Sequence, residues 1–389
     1  MVPNYRYQKG AVNAPEALAG RHSARSASLS FPSPHRFNHT PHDTVVVRLF
    51  DDKRNIAVIY SNLKPILLAA GLFAAGTSAV SAHYPLSDID LSQARAGFQT
   101  ELVKDTLQPD GKAETPPVKR YKTVQYPSPV GELVAYLTPD PKDGKRHPAV
   151  VWAHGGYGGI GSFLWEPQDA DNDQSGRAFP EAGIVTMMPS WRGENDNPGK
   201  FEMFYGEIND LHAARDYLAK LPYVDPDRIY LAGHSTGGTM TLLGNEYQHG
   251  FRAAFSLGGV PDLELRLSRG PTAVGPSFNT QNSREFYLRS PRTFITHLKS
   301  PTYYFEGSDN YWEYSLPQME KDAQNAGVSF HAYSVPHGDH FSIILPVTRL
   351  IAQKILRDTG EQPDIEFSPA DIEHISHEID AAIDEIDQE

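Results

Sequence analysis

The stretch that decides the fold runs Ile229-Tyr230-Leu231-Ala232-Gly233-His234-Ser235-Thr236-Gly237-Gly238. Its apolar first half indicates a buried strand, and residues 236–247 have the pattern of a helix. The serine therefore lies where a strand turns directly into a helix, in the pattern G-x-S-x-G. Such a turn strains the backbone, and only small neighbours leave room for it. The predicted elbow consists of Gly233, His234, Ser235 and Gly237.

Strands and helices alternate on both sides of this elbow. The segment Ala149–Ala153 is a continuous apolar run, and strands at Thr302–Phe305 and Ser329–Val335 are separated by a helical stretch. Continuous apolar strands separated by helices are typical of a mostly parallel sheet that is covered on both faces. We therefore predict an α/β-hydrolase fold, doubly wound, with a small cap at about residues 262–300.

A glycine cluster follows the apolar run at 149–153 and reads His154-Gly155-Gly156-Tyr157-Gly158-Gly159. In this fold one backbone N–H of such a loop stabilises the oxyanion, and the residue after the nucleophile supplies another. We predict the amides of Gly156 or Tyr157 and of Thr236 as these donors, each worth about 3 kcal/mol of barrier. No Lys-Ser/Thr follows the glycines, which argues against a phosphate loop.

The acid of a catalytic triad must follow the serine in the chain. The segment Glu306-Gly307-Ser308-Asp309-Asn310 comes directly after a predicted strand. We predict Asp309 as the acid, because it lies just past the carboxyl end of that strand. Glu306 and Asp262 are the alternatives.

The base must follow the acid, and the candidate segment is Pro336-His337-Gly338-Asp339-His340-Phe341. We favour His340, which leads into a helix, over His337, which lies closer to the preceding strand. In the predicted mechanism His340 takes the proton of Ser235 during attack on an acyl carbonyl, and Asp309 holds the imidazole tautomer. Water then hydrolyses the acyl-enzyme with the same base.

Charge and composition exclude several other classes of function. The net charge is -13, and the eleven acidic residues of the segment 361–389, which has no Lys or Arg, account for most of it. The rest of the chain is nearly neutral, so no nucleic-acid partner is expected. The chain has no cysteine, and we predict no cofactor and no metal. The histidines near residue 340 lack a third ligand in sequence, and His374, His377 and Glu378 have the pattern of a solvated helix face.

Several motifs together resemble the catalytic domain of the prolyl oligopeptidase family. The resemblance runs from about Gly131 to Arg357 and implies hydrolysis of peptides or esters by Ser235, Asp309 and His340. The chain has no room for the large β-propeller of the family's peptidases, so a compact carboxylesterase, or a non-catalytic binding protein on this fold, is the alternative interpretation. The motifs are His154-Gly155-Gly156, Ser190-Trp191-Arg192-Gly193, Gly206-Glu207 with Asp210, Val224–Ile229, the elbow, Ser290-Pro291, Gly307-Ser308-Asp309 and His340.

The ends of the chain differ from its body. Residues 1–61 are expected to be disordered or translated from upstream of the true start, and residues 62–82 have the charge, apolar run and small-x-small site of a signal peptide ending near Ala82. That apolar run is too short to span a bilayer. We expect export to the periplasm or medium, or a cytoplasmic protein if this interpretation fails. A lead-in at 83–120 would precede a catalytic domain at 121–360.

The last segment, 361–389, has isoleucines at spacings of three and four on an acidic background. This pattern predicts an amphipathic helix whose apolar stripe docks on the body or on a second copy in a homodimer. The expected partner of the enzyme itself is a small ester or a short peptide.

Overall fold

The computed structural model describes residues 84–386, except residues 106, 108, 309, 311, 313 and 314. The strands are β1 (Lys122–Ser128), β2 (Gly131–Leu137), β3 (His147–Ala153), β4 (Val185–Pro189), β5 (Val224–His234), β6 (Ala254–Leu257), β7 (Thr302–Gly307) and β8 (Phe330–Val335). The helices are α1 (Leu91–Arg95), α2 (Ala178–Glu181), α3 (Glu207–Leu218), α4 (Thr236–Tyr247), α5 (Leu263–Ser268), α6 (Ser283–Tyr287), α7 (Leu316–Ala326), α8 (Ile344–Arg357) and α9 (Pro369–Ile386).

The strands form an eight-stranded sheet in the order β1-β2-β4-β3-β5-β6-β7-β8. β1 and β2 form an antiparallel hairpin, and β2 pairs antiparallel with β4, whereas every later pair is parallel. This mostly parallel sheet with helices confirms the predicted α/β-hydrolase fold. Because β3, β5, β6 and β7 are consecutive neighbours, their carboxyl ends form one continuous edge, where ligands bind in open α/β sheets.

The two faces of the sheet are both buried, which explains the unbroken apolar strands. Along β3, Ala149 and Val151 contribute to a core cluster with α3 and α4, and Val150 and Trp152 contribute to a second cluster with α8. Successive strand residues point to opposite faces, so a strand covered on both sides needs apolar residues throughout. The core thus holds β5, and the elbow at its end, between two packed layers.

Helix α9 packs on the same chain through its apolar stripe. Ile375 and Ile379 are buried in the cluster that contains α8, and Lys354 of α8 donates to Asp371 at 2.8 Å. Docking on the body was one of the two predicted uses of this stripe. The predicted homodimer is not tested by this contact.

The lead-in before the sheet connects the cap to the body. The Arg95 guanidinium at the end of α1 is buried and donates to the carbonyls of Phe204 and Leu288 at 2.9 and 2.8 Å. Leu102 forms an isolated bridge with Phe278 in the cap. The cap consists of α5, α6 and a 3₁₀ segment at Pro291–His297.

The predicted extension at 1–61 and signal peptide at 62–82 lie outside the described residues. Within the described part of the chain, no helix is both long and apolar enough to cross a membrane.

Candidate active site

Ser235 occupies the elbow that its sequence predicts. It joins the last residue of β5 to the first residue of α4, with φ 53° and ψ -111°, a combination rarely adopted by a residue with a side chain. Its amide donates to the carbonyl of Leu257 at 2.8 Å, which attaches the elbow to the end of β6. The strain is therefore held by the surrounding backbone, and the serine lies at the carboxyl edge of the sheet.

The glycines of the motif are required by close backbone contacts. A Cβ at Gly237 would lie 1.9 Å from the carbonyl oxygen of Ala153, and one at Gly233 would lie 2.4 Å from the carbonyl oxygen of Gly237. These neighbours are main-chain atoms of β3 and of the first turn of α4, and they cannot move aside. The G-x-S-x-G pattern thus reflects the packing of α4 onto β3 and β5.

Two adjacent amides of the glycine loop have no hydrogen-bond acceptor among the residues that the structure describes. Gly155 N donates to Gln174 Oε1, Gly159 N to Asp110 Oδ2 and Ile160 N to Asn195 Oδ1, at 2.6 to 3.0 Å. Gly158 N donates to the carboxylate of Glu194. Within the described residues the amides of Gly156 and Tyr157 have no such acceptor, and these are the two that the sequence nominates for the oxyanion.

Thr236, the first residue of α4, sets the orientation of the peptide bond between Gly156 and Tyr157. Thr236 Oγ1 donates to the carbonyl of Gly156 at 2.6 Å, and Gly156 has φ 88°. In a trans peptide the C=O and the following N–H point in opposite directions. The N–H of Tyr157 therefore points away from the Thr236 hydroxyl, while the amide of Thr236 itself is at the N-terminus of α4, where intrahelical acceptors are absent.

Two buried glutamates lie beneath this loop. Glu194 Oε2 accepts from Trp191 N at 3.1 Å, and Glu207 accepts from Glu202 N at 2.6 Å. Burial raises the pKa of Glu207 to about 7 and raises that of Glu194 well above its usual range. Both line a cavity of about 20 Å³ together with Tyr157 and Thr236. Glu194 thus fixes the glycine loop from below, a role that sequence reasoning missed.

The motif around Arg192 packs behind the glycine loop. Its guanidinium makes a buried two-bond contact with Asp210, with Nε to Oδ2 and Nη2 to Oδ1 both at 2.9 Å. A Cβ at Gly206 would lie 1.9 Å from Arg192 Nη1. The Arg192-Gly193 and Gly206-Glu207 motifs of the resemblance are therefore parts of one packed unit behind the glycine loop.

His340 lies against the same edge of the sheet. A Cβ at Gly258, which follows β6, would lie 2.8 Å from Nδ1 and from Cε1 of its ring. Burial lowers the pKa of His340 to about 4, with Asp339 opposing the shift and the charge of Arg266 adding to it. The imidazole is consequently neutral near pH 7, which is the form that a general base requires.

His234 connects the elbow to the segment Pro336–Phe341, which we call the base loop because it contains His340. Its Nε2 donates to the carbonyl of His340 at 2.7 Å, and the two rings lie 4.6 Å apart between centroids. Burial holds the pKa of His234 well below its usual range, so the ring is neutral and Nδ1 accepts from Gln174 Nε2 at 3.0 Å. The residue before Ser235 thus positions the backbone of the residue predicted as its base. Gln174, in an irregular segment, gave no sequence signal.

The predicted acid, Asp309, lies outside the described residues. Its neighbour Asn310 places Nδ2 3.1 Å from Nδ1 of His340, so this loop reaches the ring nitrogen that the acid of a triad must hold. The alternative Glu306 is fully buried and accepts from the Tyr304 hydroxyl at 2.8 Å. The alternative Asp262 caps α5 by accepting from Leu265 N at 2.9 Å. The assignment of Asp309 remains a prediction.

The rival base, His337, faces another part of the molecule. Its side chain is 63% exposed, and Nδ1 lies 2.8 Å from Asp380 Oδ1 of α9. It therefore contacts the C-terminal helix, whereas His340 contacts the elbow through His234. The assignment of His340 as the base remains a prediction.

A larger cavity, of about 620 Å³, lies away from these groups. Its lining includes Thr138, Trp165, Ile184 and Val185, so it opens at the amino end of β4. It contains none of the predicted site residues. We therefore place the candidate active site at Ser235 and not at this larger cavity. Across the described residues no group of three or more acidic, histidine or cysteine side chains is arranged to hold a metal.

Comparisons with known proteins point to the same class of enzyme. Residues 176–307 match the prolyl oligopeptidase family, a segment that contains the elbow and ends at Gly307. The chain is 25% identical over 187 residues to dipeptidyl-peptidase 5 of Porphyromonas gingivalis, covering 44% of this chain and 27% of that protein. It is 24% identical over 237 residues to an uncharacterized peptidase, YtmA, of Bacillus subtilis, covering 56% and 88% respectively.

Solved structures agree on the fold. An acylaminoacyl peptidase of Pyrococcus horikoshii superposes with a TM-score of 0.50 at 17% identity, covering 65% of this chain and 44% of that one. The chain thus spans about a quarter of dipeptidyl-peptidase 5 and less than half of this peptidase. The resemblance to the prolyl oligopeptidase catalytic domain is confirmed, and the family match with the named relatives supports a serine hydrolase.

Proposed function

We propose that this chain, whose residues 176–307 match the prolyl oligopeptidase family, cleaves ester or peptide bonds through an acyl-enzyme on Ser235. The observation that carries the proposal is the strained backbone of Ser235 at the join of β5 and α4. A positive φ at a serine costs stability and is kept where the surrounding structure imposes it, commonly at a reacting group. The neutral imidazole of His340 and two available amides in the glycine loop supply the remaining chemistry.

In the proposed reaction His340 accepts the proton of Ser235 Oγ as the oxygen attacks the acyl carbonyl. The amides of Tyr157 and Thr236 stabilise the developing oxyanion, and Asp309 holds the imidazolium through Nδ1. The protonated His340 then gives its proton to the leaving alcohol or amine. Water, deprotonated by His340, attacks the acyl-enzyme and releases the acid.

Covalent labelling tests this proposal directly. A fluorophosphonate should add once to the intact protein, as measured by its mass, and the adduct should be absent from Ser235→Ala. Ser329→Ala, which changes an exposed serine before β8, is the matched control and should label as the wild type does. An adduct that persists in Ser235→Ala would sink the assignment. A protein that neither labels nor hydrolyses any ester would instead be a non-catalytic member of the fold.

Peptidase and carboxylesterase activity are the two forms of this proposal. The relatives at 24–25% identity are named as peptidases, which favours the first. Purified protein should be assayed on p-nitrophenyl esters and on aminoacyl-p-nitroanilides with the Ser235→Ala protein as the blank. Hydrolysis of esters with no hydrolysis of any anilide would identify a compact carboxylesterase.

We also propose that the protein is exported after cleavage near Ala82, to the periplasm or the medium. The support is the sequence Lys64, the apolar run 66–75 and the small residues before His83. N-terminal sequencing of protein from the native host's envelope or medium should begin near His83. Recovery of an intact Met1 start from the cytoplasm would contradict it. The predicted homodimer is tested separately, by sedimentation equilibrium of the purified protein.

A further inference from the structure

The lead-in that precedes the sheet is attached both to the cap and to the segment after the glycine loop. Val103 N donates to the carbonyl of Ser277 in the cap at 2.8 Å. Further along the lead-in, Glu114 Oε1 accepts from Ser162 N at 3.1 Å, just past the glycine loop. Asp110 lies between these two attached positions. The lead-in therefore brings the side chain of Asp110 to the glycine loop.

The carboxylate of Asp110 joins the glycine loop to a second loop. Its Oδ2 accepts from Gly159 N at 2.6 Å, and its Oδ1 accepts from Asn195 N at 2.7 Å. Hydrogen bonds from backbone amides to a carboxylate are shorter and stronger than those between neutral groups. One side chain of the lead-in thus holds the main chain of two loops that are far apart in sequence.

Asn195 also attaches these two loops to each other. Its side chain accepts from Ile160 N at 2.7 Å and donates to the carbonyl of Ile160 at 3.2 Å. A Cβ at Gly159 would lie 2.0 Å from Asn195 Oδ1, so the loops are in direct contact. Asn195 is buried and has φ 46°, in the left-handed region. Asp110 therefore bonds to the backbone of a residue whose side chain already holds the end of the glycine loop.

These bonds fix one end of the segment that carries the proposed oxyanion donors. At the other end Gly155 N donates to a glutamine side chain, and in the middle the carbonyl of Gly156 accepts from a threonine hydroxyl. Asp110 holds Gly159, two residues after Tyr157. Donors to an oxyanion must be aimed before the reaction, and a misplacement of about 1 Å can cost about 100-fold in rate. The bond of Asp110 to the loop can therefore affect the rate of the chemical step.

We propose that Asp110 is a positioning residue of the active site, which keeps the amide of Tyr157 aimed at the oxyanion through its bond to Gly159 N. The proposal rests on the proposed function, because it concerns the same reaction centre. It extends the site beyond the catalytic domain predicted at 121–360, because Asp110 belongs to the lead-in. The carboxylate is exposed, so water can bond to the two amides when it is removed. Its loss should therefore disturb the aim of the loop more than the stability of the fold.

An ester and a ketone with the same alkyl chain test this role together. The readouts are kcat and KM on p-nitrophenyl butyrate and the inhibition constant of propyl trifluoromethyl ketone. Ser235 Oγ adds to the carbonyl carbon of the ketone, the Oγ proton passes to His340, and the ketone oxygen becomes an oxyanion. The ketone therefore reports on the oxyanion donors without a leaving group. Each kcat is expressed per site that a fluorophosphonate labels, so that unfolded protein does not contribute.

Asp110→Ala should lower kcat by about 10- to 100-fold and weaken inhibition by the ketone by a similar factor. KM should change little, because an interaction with developing charge is made only in the transition state. Asp110→Asn should lose less, since its amide oxygen can still accept from one of the two amides. Glu101→Ala is the matched control, because Glu101 is another exposed acid of the lead-in, and its Oε2 accepts from Asn279 Nδ2 in the cap at 2.8 Å. It should keep the wild-type kcat and the wild-type inhibition constant.

Three results would overturn the inference about Asp110 and leave the hydrolase in place. The first is an Asp110→Ala protein whose kcat per labelled site and inhibition by the ketone match those of the wild type. The second is a loss of labelled sites with a normal kcat per site, which would show a role in folding alone. The third is an equal loss in Glu101→Ala, which would show a general effect of the lead-in. A wild type that neither labels nor turns over any ester contradicts the proposed function itself.

Discussion

The elbow and the base loop are held in place in different ways. At the elbow, the contacts that matter join α4 to the adjacent strand β3, as the 1.9 Å approach of a Gly237 Cβ to Ala153 O shows. The base loop is held by side chains from distant segments, with His234 bonded to the carbonyl of His340 and Asn310 to its Nδ1. The position of the proposed nucleophile therefore depends on the geometry of the sheet, whereas the position of the proposed base depends on several long-range contacts that can be altered one at a time.

The largest expected effect comes from removing the base itself. His340→Ala should lower kcat on a p-nitrophenyl ester by on the order of 10⁵ to 10⁶, as loss of a triad histidine does. His337→Ala should lower it by less than about tenfold, because the side chain is exposed and contacts Asp380 of α9, away from the elbow. Thermal unfolding of both variants controls for stability. An inactive His337→Ala beside an active His340→Ala would transfer the role of base to His337.

Substitution of the predicted acid tests whether the loop after β7 supplies the third residue of the triad. Asp309→Asn should cost on the order of 10⁴ in kcat, because the amide favours the wrong imidazole tautomer while keeping its shape. Glu306→Gln should cost far less, since its carboxylate bonds to the Tyr304 hydroxyl within the core. The comparison requires kcat at saturating ester for both proteins. If Glu306→Gln is the variant with the large loss, Glu306 is the acid.

Adding one methyl group at Gly237 should cause a large loss of stability, because the backbone at the elbow is closely packed. Gly237→Ala should lower the free energy of unfolding by about 4 kcal/mol or more, because the new Cβ meets main-chain atoms of β3 that cannot shift. Gly275→Ala is the control, since its Cβ would meet only the mobile end of Lys104 at 3.2 Å. Urea unfolding measures both changes. Equal stability of the two variants would contradict the packing described for the elbow.

The C-terminal helix α9 packs beside the base loop and should contribute to the stability of the protein. Ile379 of α9 is 2% exposed, and its Cδ1 lies 3.3 Å from the position of a Cβ on Gly338, two residues before His340. Ile379→Ala should lower the free energy of unfolding by about 2 to 5 kcal/mol. Ile372→Ala, on the same stripe but only partly buried, should cost less. An unfolding curve that does not change in Ile379→Ala would show that α9 is not docked in solution.

The smallest expected effect is a shift in pH dependence. A general base must be neutral, so a lowered pKa extends activity toward acid. Burial lowers the pKa of His340, whereas the carboxylate of Asp309 proposed to hold Nδ1 would raise it, so kcat/KM on a neutral ester should fall with a midpoint between about 4 and the ordinary value of about 6.5. Arg266→Gln should raise that midpoint, because a neighbouring positive charge is removed. A wild-type midpoint above about 6.5 would show that burial does not lower the pKa of the base in the working enzyme.

The elbow at Ser235, the glycine loop and the order of strands and helices were all predictable from the sequence. Each is a local pattern, since small residues mark a turn without room for side chains and unbroken apolar runs mark strands buried on both faces. The preference for His340 over His337 followed only from the order of elements. Nothing in the sequence indicated that His337 would contact α9.

Only the tertiary structure brings in the residues that have no pattern of their own. Examples are Gln174, which contacts His234, Glu194, which accepts from Trp191 N, and Asn310, which contacts His340. These residues come together because the carboxyl ends of β3, β5, β6 and β7 meet at one edge of the sheet. The sequence by itself determined the elbow at Ser235 and the fold, because both are local patterns of size and polarity. The groups that tune the site were decided by long-range packing, which no local pattern encodes.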